Sequence, residues 1–82
     1  MEILVPTHDL RELRAQVAER RRNPTPSPIA GLRFGGLVKY RGLMWVLFDH
    51  DAKGNGSTPT LVEYPTCSSV VRDISWSDIV RL

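Results

Sequence analysis

Three short stretches carry side chains capable of chemistry. Asp49-His50-Asp51 sets an imidazole between two carboxylates, the pairing that performs general acid–base work when a substrate proton or nucleophile lies within hydrogen-bond reach. Neighbours on an extended chain point to opposite sides, so Asp49 and Asp51 cannot both orient His50 unless the chain curls. A solvated stretch is the better reading, and an enzyme is the least supported class. Continued as DHDAKGNGS, the same stretch puts Asp49, Asp51, Gly54, Asn55 and Ser57 at positions 1, 3, 6, 7 and 9 of a calcium-binding loop. Lys53 then brings an ammonium to position 5, Thr60 stands at position 12 where a bidentate glutamate belongs, and neither flank reads as a helix. The stretch is expected to be a turn between strands, without metal. Cys67 is the only cysteine, which excludes an internal disulfide and does not make a zinc site. In GLRFGG no Gly-Lys-Ser/Thr follows Gly31, Gly35 and Gly36, so these glycines serve a bend and not a phosphate loop. The chain calls for no cofactor.

Arginine is the remaining signal. Arg11, Arg14, Arg20, Arg21 and Arg22, followed by Arg33, Lys39 and Arg41, offer a surface for phosphates or for an acidic protein patch. Arg20 to Arg22 also stand where a helix C-terminus attracts positive charge, with Glu12 and Glu19 to neutralise part of it. Three consecutive arginines exceed what a helix end requires, which makes Arg14, Arg20, Arg21, Arg22, Lys39 and Arg41 the candidate binding residues. Net charge is +2, and it is unevenly placed. Residues 1–41 hold eight Lys or Arg against four Asp or Glu, whereas residues 42–82 hold three against five. The positive field belongs to the first half. Phe34, Tyr40, Trp45, Phe48, Tyr64 and Trp76 would stack bases if exposed, but a core this small needs most of them inside.

Eighty-two residues make one domain with a modest core. Hydrophobic residues at 41% and charged residues at 24% exclude a wholly disordered chain. The longest apolar run, LMWVLF at residues 43–48, is far short of a membrane span, and MEILVPTHDL lacks the features of a signal peptide. A soluble, cytoplasmic protein without membrane contact is expected. The sequon Asn55-Gly56-Ser57 then reads as turn chemistry.

Those residues must be positioned by a few elements. Glu2 to Val5, stopped by Pro6, suits an edge strand or an ordered arm. HDLRELRAQVAERRR, residues 8–22, contains no Gly or Pro and predicts a helix capped by Thr7 or Asp9, with Asp9 and Glu12 at capping-box spacing. Leu10, Leu13 and Val17 form a narrow apolar stripe that suits packing on a sheet, or on a second copy in a homodimer. Pro24, Pro26 and Pro28 in NPTPSP predict an extended linker outside helix and ladder. From Gly35 the apolar period becomes two. Val38, Tyr40, Met44, Val46 and Phe48 share one parity across a tight turn at Arg41-Gly42, and Leu43, Trp45 and Leu47 hold the other. A strand apolar on both faces belongs inside a small barrel or beneath the helix. DHDAKGNGSTP then reads as a loop, TLVEY as a third strand, TCSS as a turn and VVRDI as a fourth strand. A short turn at Trp76 to Asp78 precedes a last strand, Ile79 to Leu82.

Residues 35–82 resemble the SH3-like small barrels. The likeness is carried by Gly36, Val38, Tyr40, Gly42, Trp45 and Val46 in GLVKYRGLMWV, by Leu61-Val62, and by VVRDISWSDIVRL with its single turn before a closing strand. The resemblance implies an α+β fold, mainly β with one α-helix, in which the N-terminal helix packs on or beside a five-stranded antiparallel barrel. It divides the chain into an arm and Arg-rich helix at 1–22, a Pro-rich linker at 23–34 and the barrel at 35–82. This superfold hosts many functions and names none. The acidic loop and aromatic run of peptide-binding SH3 domains are missing, so that activity is not carried over. The reading is a small non-catalytic binding protein, a nucleic-acid-binding regulatory or accessory factor. The alternative is a protein-binding inhibitor or adaptor of phage or plasmid type, directed at a larger nucleic-acid-handling machine.

Overall fold

The stretch THDLRELRAQVAERRR contains no helix breaker and forms α1, Thr7–Arg22. The expected side-chain cap is absent: Pro6 stands at the N-cap, and the Asp9 N–H donates to the Pro6 carbonyl at 2.9 Å. Asp9 in the first turn and Arg20 to Arg22 in the last both complement the helix dipole. A true capping box forms elsewhere, where Ser75 and Asp78 exchange bonds around the 3-10 turn Trp76–Asp78. The computed structural model describes residues 1–54 and 56–82, with Lys53 described by its backbone alone. Its strands are β1 (Glu2–Leu4), β2 (Thr25–Pro26), β3 (Arg33–Phe34), β4 (Leu37–Tyr40), β5 (Leu43–Lys53), β6 (Gly56–Glu63), β7 (Ser69–Val71) and β8 (Val80–Arg81).

The fold is α+β, and its main sheet is open. Six strands lie in the order β1-β7-β6-β5-β4-β8, with β1 and β8 at the edges, and β2 pairs with β3 in a separate two-stranded ladder. This differs from the expected closed five-stranded barrel, because the N-terminal arm adds as β1 to β7 and lengthens the sheet. The 23–34 segment also differs from the linker expected. Thr25 and Pro26 pair with Phe34 and Arg33, and Phe34 enters the core with Leu32 beside it. Strand β2, which among the described residues pairs only with β3, tolerates a proline that lacks an N–H. The expected loop at 49–59 is mostly strand, since β5 runs to Lys53 and β6 starts at Gly56. Asn55, position 7 of the calcium-loop spacing, lies outside the described residues.

Face assignment departs from the sequence parity for a geometric reason. Arg41 and Gly42 both adopt positive φ, 52° and 77°, as a two-residue hairpin turn of type I′ requires. Such a turn pairs Val38 with Trp45 and Leu37 with Val46, so odd and even positions exchange faces across it. Val38 and Tyr40 therefore join Trp45, Leu47, Leu61 and Val71 in one core cluster. Val46, Val62 and Cys67 pack on the other face beneath Val17 of α1, with Leu13 alongside. Strand β5 is apolar on both faces because it runs between these clusters, beneath the helix. A bulge between Leu47 and Asp49, with Phe48 as the extra residue, then shifts its register against β6.

Candidate functional site

Cross-strand register builds one face of the molecule. Lys39 of β4 lies opposite Met44 of β5, and the Tyr64 N–H donates to the Met44 carbonyl at 3.3 Å, extending the β5–β6 ladder by one pair. Lys39, Met44 and Tyr64 thus form a row on the helix-bearing face, and two strand spacings put Lys39 about 10 Å from Tyr64. Helix α1 delivers two arginines to the Tyr64 end of this row. Arg14 and Arg21, seven residues apart, share one side of the helix. Arg14 Nε donates to the Thr66 carbonyl at 3.2 Å. Arg21 Nη1 donates to the Gly35 carbonyl at 3.0 Å, and its guanidinium lies 5.2 Å from the Tyr64 ring centroid. Between them is a shallow pocket of about 370 Å³, floored by Val17, Tyr64, Pro65 and Cys67.

Gly35 makes this arrangement possible. It adopts φ +94°, and a Cβ built on it would lie 2.0 Å from the Arg20 carbonyl oxygen. Only glycine lets the last turn of α1 come this close to the sheet.

The six candidate residues are not used alike. Arg14, Arg21 and Lys39 come to one face and are exposed. The two arginines each spend one of five N–H donors on a carbonyl, and both keep donors for an anion. Arg20 turns to β5, where the bulge brings it both Phe48 and Asp49: its guanidinium is 5.0 Å from the Phe48 ring centroid and 3.7 Å from the Asp49 carboxylate. Arg22 pairs with Glu19. Arg41 remains in the hairpin turn, 5.2 Å from the ring centroid of Tyr40, away from the row.

Two titratable groups border the site. The Glu63 carboxyl is held below the usual glutamate value by the hydroxyl of Thr66 and then by that of Ser68. Burial pushes the Cys67 thiol up, against the opposing pull of Arg14. The thiol is buried and protonated, which suits packing and not nucleophilic attack. The Asp49-His50-Asp51 stretch lies on β5, and its histidine ring packs against two aromatic rings. The His50 ring stacks on Phe34 at 5.1 Å with an interplanar angle of 8° and lies 6.5 Å from Trp76.

Tyr64 is a site residue that the arginine pattern did not single out. Its signal lay in register, which depends on the turn at 41–42. For the cations, though not for Tyr64 or Arg14, a signal was present in composition: no Asp or Glu occurs between Glu19 and Asp49, a stretch holding Arg20, Arg21, Arg22, Arg33, Lys39 and Arg41. Comparison with protein-family models, with curated proteins and with solved structures found no match. No helix among the described residues is long and apolar enough to cross a membrane.

Proposed function

We propose that this protein is a small non-catalytic nucleic-acid-binding factor whose contact surface is the face carrying Arg14, Arg21 and Lys39. The observation that carries this reading is the convergence of the three cations on one face, with guanidinium donors still unspent. Phosphate oxygens accept from arginine in the bidentate manner of carboxylates. A fixed row of cations positions a backbone without reading its sequence. The sheet and bulge supply the rigidity. An SH3-like arrangement of β4–β8 is part of the same reading, supported by the order β7-β6-β5-β4-β8 and by the 3-10 turn before β8.

Fluorescence anisotropy with labelled single-stranded DNA, duplex DNA and RNA tests this reading. With three phosphate contacts, affinity is expected to fall about 20- to 40-fold between about 50 and 200 mM salt. Lys39→Gln is expected to weaken binding and to lower the salt slope by about 0.7 to 0.9. Arg22→Gln, which among the described residues loses only a pairing with Glu19, is expected to change binding little. Absence of binding at low salt, or equal loss from Arg22→Gln and Lys39→Gln, would overturn the assignment.

A further inference from the structure

We propose that the cleft between the 26–33 segment and the edge strand β8 binds an extended peptide segment in which acidic and apolar residues alternate, by adding it as a strand to β8. The site borders the Arg14–Arg21–Lys39 face, because Val80 of β8 pairs with Lys39, but it uses neither Arg14 nor Arg21. Among the described residues β8 pairs only with β4, so its second edge carries no strand. An edge of this kind offers backbone N–H and C=O groups to an incoming chain. Beside it is a cavity of about 580 Å³ to which Arg33 and Arg81 both contribute, with Ile29, Leu32, Leu37 and Val38 among the aliphatic walls and no carboxylate side chain in the lining.

Both arginines are exposed, and neither guanidinium has an ion-pair partner among the described residues. Gly31 makes room for one of them. It adopts φ +87°, and a Cβ there would stand 2.9 Å from Arg81 Nη1. The charge of the cleft selects an anion. Its walls decide which class, because they mix aliphatic side chains with polar groups and contain no aromatic ring on which a base would stack. A peptide carboxylate meets the guanidinium fork bidentately, while the peptide's apolar side chains use walls that a phosphodiester would leave unused.

Register supplies the alternation. Arg81 lies opposite Val38 and shares its face, whereas Val80 lies opposite Lys39 on the other face and is 60% exposed. A strand paired to β8 presents successive side chains to these two faces in turn. The residue beside Arg81 is acidic and the residue beside Val80 is apolar and β-branched.

The test uses the full chain, isotopically labelled, and a capped octapeptide alternating valine and glutamate, followed by amide chemical shifts. Saturable shifts confined to residues 26–39 and 79–82 are expected. Combined Arg33→Glu and Arg81→Glu substitution should weaken the peptide by at least about tenfold and transfer preference to a capped octapeptide alternating valine and lysine. Arg33→Gln with Arg81→Gln should weaken it similarly without charge reversal, which keeps the test decisive if the reversed chain does not fold. Arg14→Gln, at the Thr66 end of the other face and strands away from β8, should leave peptide binding unchanged while weakening nucleic acid, so the two sites fail separately. Any of three results would overturn the proposal: no saturable shift at about millimolar peptide, a typical weak-binding limit; shifts retained by both arginine variants; or equal shifts in the same residues from an oligothymidylate.

Discussion

The close approach of α1 to the sheet at Gly35 can be tested by adding one methyl group. In Gly35→Ala the new Cβ would begin 2.0 Å from the Arg20 carbonyl oxygen and 2.6 Å from its carbon. Both are backbone atoms of a helix that cannot rotate aside as a side chain would. The φ of +94° adds its own penalty, about 1 to 2 kcal/mol for an L-residue in the left-handed region. Relief requires the end of α1 to lift from the sheet, which also removes the Arg21 bond to the Gly35 carbonyl and loosens Val17 over Val46 and Val62. Overpacking of this kind costs about 1 to 3 kcal/mol, so a total loss of about 2 to 5 kcal/mol is expected. That is a large fraction of the about 4 to 12 kcal/mol that a chain of this length possesses. Gly42→Ala is the control. Gly42 adopts φ +77° with no atom within 4 Å of its added Cβ, so only the backbone penalty, about 1 to 2 kcal/mol, applies. Urea unfolding followed by the fluorescence of the buried Trp45 measures both variants. If Gly35→Ala is no more destabilising than Gly42→Ala, α1 does not rest on Gly35 and the placement of Arg14 and Arg21 fails with it.

Val17 is 3% exposed beneath α1, and Val17→Ala removes two methyl groups from that cluster. A loss of about 2 kcal/mol is expected, read as a lowering of the thermal midpoint by about 10 °C. Glu63 provides the pH prediction. Its folded pKa lies below the ordinary value, so it contributes stability at neutral pH that is lost as pH falls through the folded value. Glu63→Gln should remove that part of the acid dependence, and a variant with the parent's full acid-limb slope in urea midpoint against pH would contradict the role of Thr66 and Ser68.

Much of the local structure was legible from residue type and period. Helix α1 follows from sixteen residues free of Gly and Pro, the hairpin from Arg41-Gly42, and the final turn from SWSD, whose Ser75 and Asp78 form the capping box. The α+β class follows from one helical period succeeded by periods of two. The candidate site was legible only as a stock of arginines.

The rest depended on contacts between distant residues. The bulge at Phe48 brings two successive β5 residues to Arg20, so that arginine docks the helix end while Arg14 and Arg21 remain available on the other side. The arm became β1 because β7, some 65 residues later, presents an edge to it, and a short apolar tetrapeptide cannot announce a partner that far away. Propensity and periodicity act over a few residues and are written in the chain, so the sequence by itself determined the helix, the tight turn and the surplus of positive charge. Which face each strand shows, which arginines stay free, and where the sheet ends were decided by pairing register and packing, which exist only once distant segments meet.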